Sequence, residues 1–151
     1  MDVKIGGAVM DILFTVPAVP VAQPRQRHAI AKGGFITNYT PAAHPVNQFK
    51  AAVGFASKQV YSGPVLDCAL SVDIVAVFPR PKSMVKKNKP MNREWKKSKP
   101  DIDNIEKSVF DALNGVLWRD DSLVCSGSTM KFIASGEEQP HVEIRVVSLE
   151  K

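Results

Sequence analysis

The sequence predicts an α/β (α+β) fold, a single small domain in which a mixed β-sheet of about four to six strands carries two main helices packed on it. Three observations predict it. The run Val65 to Phe78 is rich in Val, Ile and Leu, with Leu70, Val72, Ile74, Ala76 and Phe78 in alternation, as in a long central strand. Two stretches, Pro45 to Tyr61 and Asp101 to Asn114, repeat apolar residues at three- and four-residue spacing, as amphipathic helices do. Shorter β-rich runs bounded by Pro, Gly and Asn fill the intervals. With 151 residues, 44% of them hydrophobic, the chain supplies one packed core and is too short for two ordinary domains.

In chain order, residues 1–9 read as an unpatterned N-terminal tail and 10–151 as the domain. Met10 opens the first ordered run, Met10 to Val16, which Pro17 stops, so Met1 and Met10 are both candidate functional starts. Pro24 to Ala31 and Phe35 to Tyr39 flank Lys32-Gly33-Gly34, a hairpin signal, with Arg25 and Arg27 alternating on the first arm. The first helix presents Val46, Phe49, Ala52, Val53, Ala56 and Val60 at helical spacing and ends at Ser62-Gly63-Pro64. Pro79 halts the central strand, and a basic linker follows. In the second helix Ile102, Ile105, Val109, Ala112, Leu113 and Val116 form the apolar stripe, with Asn114-Gly115 as the stop. Val124 to Ile133 and His141 to Leu149 read as two more strands about the turn 135–140.

Charge is concentrated in one place. Between Arg80 and Lys99 stand nine basic residues and one acid, a local +8 in a chain of net +5, so the remainder carries −3. Lys86, Lys87, Lys89, Arg93, Lys96, Lys97 and Lys99 in that segment, with Arg25 and Arg27 before it, are candidate DNA-backbone contacts, since phosphate neutralisation releases condensed counterions. A solvated loop explains the same run equally well. No apolar run approaches a membrane span and no secretory signal is evident, so a cytoplasmic protein is expected. Cys68 and Cys125 stand in apolar contexts without a metal-spaced partner, which predicts buried free thiols. His28, His44 and His141 are isolated and read as surface or core residues.

The segment Lys99-Pro100-Asp101-Ile102-Asp103-Asn104-Ile105-Glu106-Lys107, followed by Trp118-Arg119-Asp120-Asp121, carries the chemistry. Pro100 makes the helix begin after Lys99, leaving Asp101 and Asp103 on its entering turn, while Lys107 lies one turn on, along the same polar face. Phosphodiester hydrolysis needs an activated water and a counter to phosphate charge; Mg²⁺ held by several carboxylates can supply both, a task that Asp101, Asp103 and Asp121 suit. Lys107 adds a positive charge near the same phosphate. Helix capping is the competing explanation, because Asp is a favoured N-cap and Asp103 with Glu106 has capping-box spacing. Asp120-Asp121 also suits an ordinary turn. Trp118 continues the apolar stripe and reads as a core anchor.

The stretch Lys99 to Asp121, with its D-x-D-N-x-x-K, D-A-L-N and W-x-D-D parts, resembles the RusA-type Holliday-junction resolvase family, crossover junction endodeoxyribonucleases. Weaker similarity reaches back through Pro17 to Arg27. The resemblance implies a homodimeric nuclease that binds four-way junction DNA and makes paired symmetric nicks with Mg²⁺, or Mn²⁺ in its place, and no organic cofactor. By position it implies Asp101, Asp103 and Asp121 as the metal-binding carboxylates and Lys107 as the essential basic residue, with Asp120 able to exchange roles with Asp121. The alternative is a non-catalytic protein that binds branched or single-stranded DNA and uses the aspartates as caps.

Overall fold

A computed structural model describes residues 9–24, 27–30, 36–39 and 44–150, with the backbone alone at 27–30 and 36–39. Five strands, β1 (Asp11–Val16), β4 (Leu70–Phe78), β5 (Glu94–Trp95), β6 (Val124–Ile133) and β7 (His141–Ser148), form one sheet in the order β1-β7-β4-β6-β5. Two further strands, β2 (Arg27–Ile30) and β3 (Ile36–Tyr39), pair with each other as the hairpin signal predicts. The sheet is mixed because β4 and β6 run parallel while the other neighbours are antiparallel. Helices α1 (Val46–Val60) and α2 (Ile102–Leu113) pack on each other and on one face of the sheet, α1 against β1 and α2 against β6.

Alternation decides which face they cover. Leu70, Val72, Ile74 and Ala76 of β4 are buried, and their partners Val142, Ile144 and Val146 on β7 and Ile12, Phe14 and Val16 on β1 are buried with them. The helices contribute Phe49 and Val53 from α1 and Ile105, Val109 and Leu113 from α2, spaced as an apolar stripe requires, whereas Ile102, expected at the head of that stripe, stands exposed on the first turn. Trp118 is fully buried and packs edge-on against Phe110. It is the core anchor that its place after the stripe predicts. No helix of the described residues is long and apolar enough to cross a membrane.

Three expectations need correction. The central strand begins at Leu70 rather than Val65, because Leu66 leaves the β4 line to exchange backbone bonds with Leu117 and Arg119. The basic linker holds short structure: β5 pairs with the end of β6, and Trp95 stacks on Phe132 with ring centroids 4.5 Å apart. Both cysteines are free, but Cys68 is half-buried and Cys125 exposed. Cys125 is the extra residue where the β4–β6 register shifts, so strand alternation does not carry it inward.

Because β4 and β6 are parallel, the chain must return between them, and α2 is that return. Its N-terminus therefore lies at the carboxyl ends of β4 and β6 and its C-terminus at their amino ends. Side-chain hydrogen bonds mark both ends of the helix.

Candidate active site

Asp101 is the N-cap residue of α2 by backbone angles (φ −74°, ψ 151°), yet its side chain makes no capping hydrogen bond. Asp103 and Lys107 are exposed, and among the described residues the side chains of Asp101, Asp103 and Lys107 have no polar partner. Glu106 does not close a capping box with Asp103. Its carboxylate instead accepts a 2.8 Å bond from Thr129 Oγ1 of β6. Capping thus leaves the first two carboxylates unexplained.

What holds the helix start in place is Lys131 of β6, whose Nζ donates to the carbonyls of Ser98 and Pro100 at 2.8 Å each. It faces the helix layer because it pairs with buried Ala76. Gln23 N donates to Asn104 O at 2.9 Å, so the 17–24 arm runs past the first turn of α2. Arg25, two residues on, lies outside the described residues. Arg27 sits in β2, and its side chain lies outside them too, as does that of His28.

The later acids have separate settings. Asp120 accepts a 3.0 Å bond from the backbone N–H of Ser122, capping the short 3-10 turn Asp121–Leu123. Hydrogen bonds from Ser122, with Arg119 beside it, hold its carboxyl below the usual range. Asp121 accepts a 3.3 Å bond from Asn114 Nδ2, and Asn114 Oδ1 in turn accepts a 2.6 Å bond from the buried Trp118 Nε1. The indole orients the Asn114 amide, and the amide orients Asp121. In the sequence Asn114 reads as a helix stop and Trp118 as core; their four-residue spacing is the signal that the two side chains meet.

Asn114 is the C-cap of α2 and Asp101 its N-cap. Thirteen residues at the helical rise separate them by about 20 Å. Strand β6 agrees, since Val124 to Lys131 spans about 23 Å of extended chain. Asp101 and Asp103 share one end of the helix, and Asp121 is at the other. Among the described residues no group of three or more His, Cys, Asp or Glu is close enough to hold a metal ion. Within one protomer, the three predicted ligands are therefore not gathered.

The basic segment divides in the same way. Arg80 ties the segment down, donating to the carbonyls of Met84, Asn92 and Ala134 and to Glu94 at 2.6 Å. Arg93 lies over the Phe132 ring and is engaged by Glu138 and Glu143, and it holds the Glu138 carboxyl below its ordinary range. Lys96 lies over Phe78 and donates to Ser98 Oγ. Lys86, Lys87, Lys89, Lys97 and Lys99 are exposed, and their amines have no partner among the described residues. Lys97 and Lys99 lead directly into Asp101. A largely apolar cleft of about 610 Å³ lies at the opposite edge of the sheet, between β1 and α1, and holds none of these groups.

The chain is 34% identical over 140 residues to the uncharacterized protein YqaN of Bacillus subtilis (strain 168), covering 89% of this chain and 94% of that relative. The family model described as Endodeoxyribonuclease RusA matches residues 17–147, from the arm beside the first turn of α2 to the last strand. With that span including α2, both acidic ends and the Trp118–Asn114–Asp121 relay, the chain belongs to the RusA endodeoxyribonuclease family.

Proposed function

We propose that this chain is a divalent-metal-dependent endonuclease that resolves four-way DNA junctions as a homodimer. In each cutting site, Asp101, Asp103 and Lys107 of one protomer work with Asp121 of the partner subunit. One observation carries the proposal: two exposed carboxylates at the head of α2 beside exposed lysines, all without a side-chain partner among the described residues, with the third carboxylate held at the helix's far end. Two carboxylates with a phosphate oxygen and waters are a sufficient protein contribution for Mg²⁺, so the donor set at Asp101 and Asp103 fits the ion. When bound, Mg²⁺ or Mn²⁺ supplies Lewis acidity toward the phosphate and an activated water.

The chain's own groups do the rest. The Lys131 clamp on Ser98 and Pro100 fixes the backbone that leads into Asp101 and Asp103. Lys107 offers a point charge to the scissile phosphate as negative charge builds on it. Asn114, itself aligned by Trp118, aims Asp121 toward the subunit that shares it. A junction is resolved by two related incisions, and a two-fold dimer presents two copies of one site in matching geometry. Asp120 serves the Ser122 turn in this scheme.

Incubating the purified chain with a synthetic four-way junction and Mg²⁺ should yield paired symmetric nicks, with linear duplex of the same sequence left intact. A protein inert on branched DNA with Mg²⁺ and with Mn²⁺ would remove the proposal and leave a junction-binding protein. Reversing charge at Lys86 and Lys87 should weaken junction affinity and flatten its salt dependence, by about 0.9 in the log–log slope for each phosphate no longer neutralised. Circular dichroism should be unchanged, since both residues are exposed. An unaltered slope would mean that this stretch does not touch phosphate.

A further inference from the structure

We infer that Trp95 is a stacking platform for an unpaired base of the DNA, placed where a single strand would pass around the β5 edge toward the head of α2. The inference deepens the nuclease proposal and rests on it for the substrate class. Trp95 is 61% exposed on a strand of two residues, whereas Trp118, the other tryptophan, is fully buried. An indole stabilises a fold by burying its large apolar surface, and most of the Trp95 surface stays in water. One side of its ring lies on Phe132, with 4.5 Å between centroids and 26° between planes, and the other side is open. Phe132 is itself held in place, since it pairs with the buried Val77 of β4 and has the Arg93 guanidinium 5.1 Å from its ring centre. The open indole face is therefore presented rigidly.

Charge selects a nucleic-acid strand as the occupant. Glu138 and Glu143, the acids on this side, are engaged by Arg93, and Glu143 also by His141. Lys97 and Lys99 follow Trp95 directly, exposed and without a partner among the described residues. Because Lys131 faces the helix layer, alternation puts Phe132 and Trp95 on the opposite face of the sheet, yet Lys131 holds the carbonyls of Ser98 and Pro100 on the helix side. The chain between them turns around the β5 edge, with Lys97 and Lys99 along the turn. Trp95 and Asp101 are six positions apart, at most about 20 Å of chain and roughly six nucleotides at about 3.4 Å each. A strand with one base on Trp95 thus has phosphates beside both lysines before it reaches Asp101 and Asp103. Bases within a duplex have both faces covered by their neighbours, so an opened strand, as at a branch point, is what the indole can take.

Tryptophan fluorescence with oligo(dT) in metal-free buffer tests the platform in the full chain, with Trp95→Phe as the blank for Trp118. Iodide should quench Trp95 in the free protein, and bound oligo(dT) should quench the same indole and shield it from iodide. Trp95→Leu keeps an apolar cover on Phe132 without an aromatic face. It should weaken oligo(dT) binding by roughly 5- to 150-fold with the salt slope unchanged, because stacking releases no counterions. Trp95→Phe should retain most of the affinity, and melting temperatures check that both variants are folded. An indole that iodide does not reach in the free chain, no shielding by bound oligo(dT), or parental affinity in Trp95→Leu would overturn the inference. Should Trp95→Leu not fold, iodide shielding in the parent decides alone. Junction cleavage is a separate readout. Shielding of Trp95 in a protein that never cuts a junction upholds the platform and removes the nuclease proposal, whereas cleavage without shielding does the reverse.

Discussion

Asp103→Asn should lower junction cleavage by roughly 10³-fold or more while leaving junction affinity and thermal stability within error of the parent. Loss of a group one step removed from a metal typically costs 10–100-fold, and loss of a ligand charge costs more. The substitution keeps the shape of the side chain and removes only its charge. Asp103 is exposed and makes no hydrogen bond within the described residues, so the fold has nothing to lose there. Calorimetry on Asp101→Asn adds the complementary measurement: Mg²⁺ heat should vanish with the melting temperature unchanged. If Asp101 served only as a cap, metal binding would persist and stability would fall by about 0.5–2 kcal/mol, a shift of several degrees in a domain of this size.

Mixing two inactive proteins should recover activity. Asp103→Asn and Asp121→Asn are each expected to be dead as homodimers, since every shared site then lacks one carboxylate. After subunit exchange, a mixed dimer places both defects in one site and leaves the other intact. Random exchange makes about half of the dimers mixed, so about a quarter of wild-type sites should return. Each mixed dimer should nick one strand and fail to make the paired cut, which denaturing gels separate from full resolution. No recovery after verified exchange would mean that the three acids act within one protomer. That outcome requires Asp121 to leave Asn114 and cross about 20 Å, the length of α2.

The elements themselves were legible because local forces set them. The stripe through Ile105, Val109 and Leu113 is written in the spacing of residues that must share a helix face, and the Leu70 to Phe78 alternation in that of residues that must share a strand face. Pro100 marks the start of α2 for a backbone reason. The bonds of Arg80 to Glu94 and Ala134, the Arg93 pairing with Glu138 and Glu143, and the Lys131 clamp were not legible, because each joins residues more than a dozen positions apart. A run of basic residues looks uniform in a sequence. In the fold some of its members serve the structure, and others have no partner among the described residues.

Residue pattern alone singled out the candidates for chemistry: the aspartates around α2, the lysine one turn on, and the basic stretch before them. It also determined that this helix has one core face and one polar face. Only the tertiary structure decided where those groups stand relative to one another. Parallel pairing of β4 with β6 forces α2 to run back along the sheet, and that return carries Asp101 and Asp103 to one end and Asp121, through Asn114 and Trp118, to the other. Nearness along the chain says nothing about which end of a helix a later loop will reach, because strand order is settled by burial across the whole sheet.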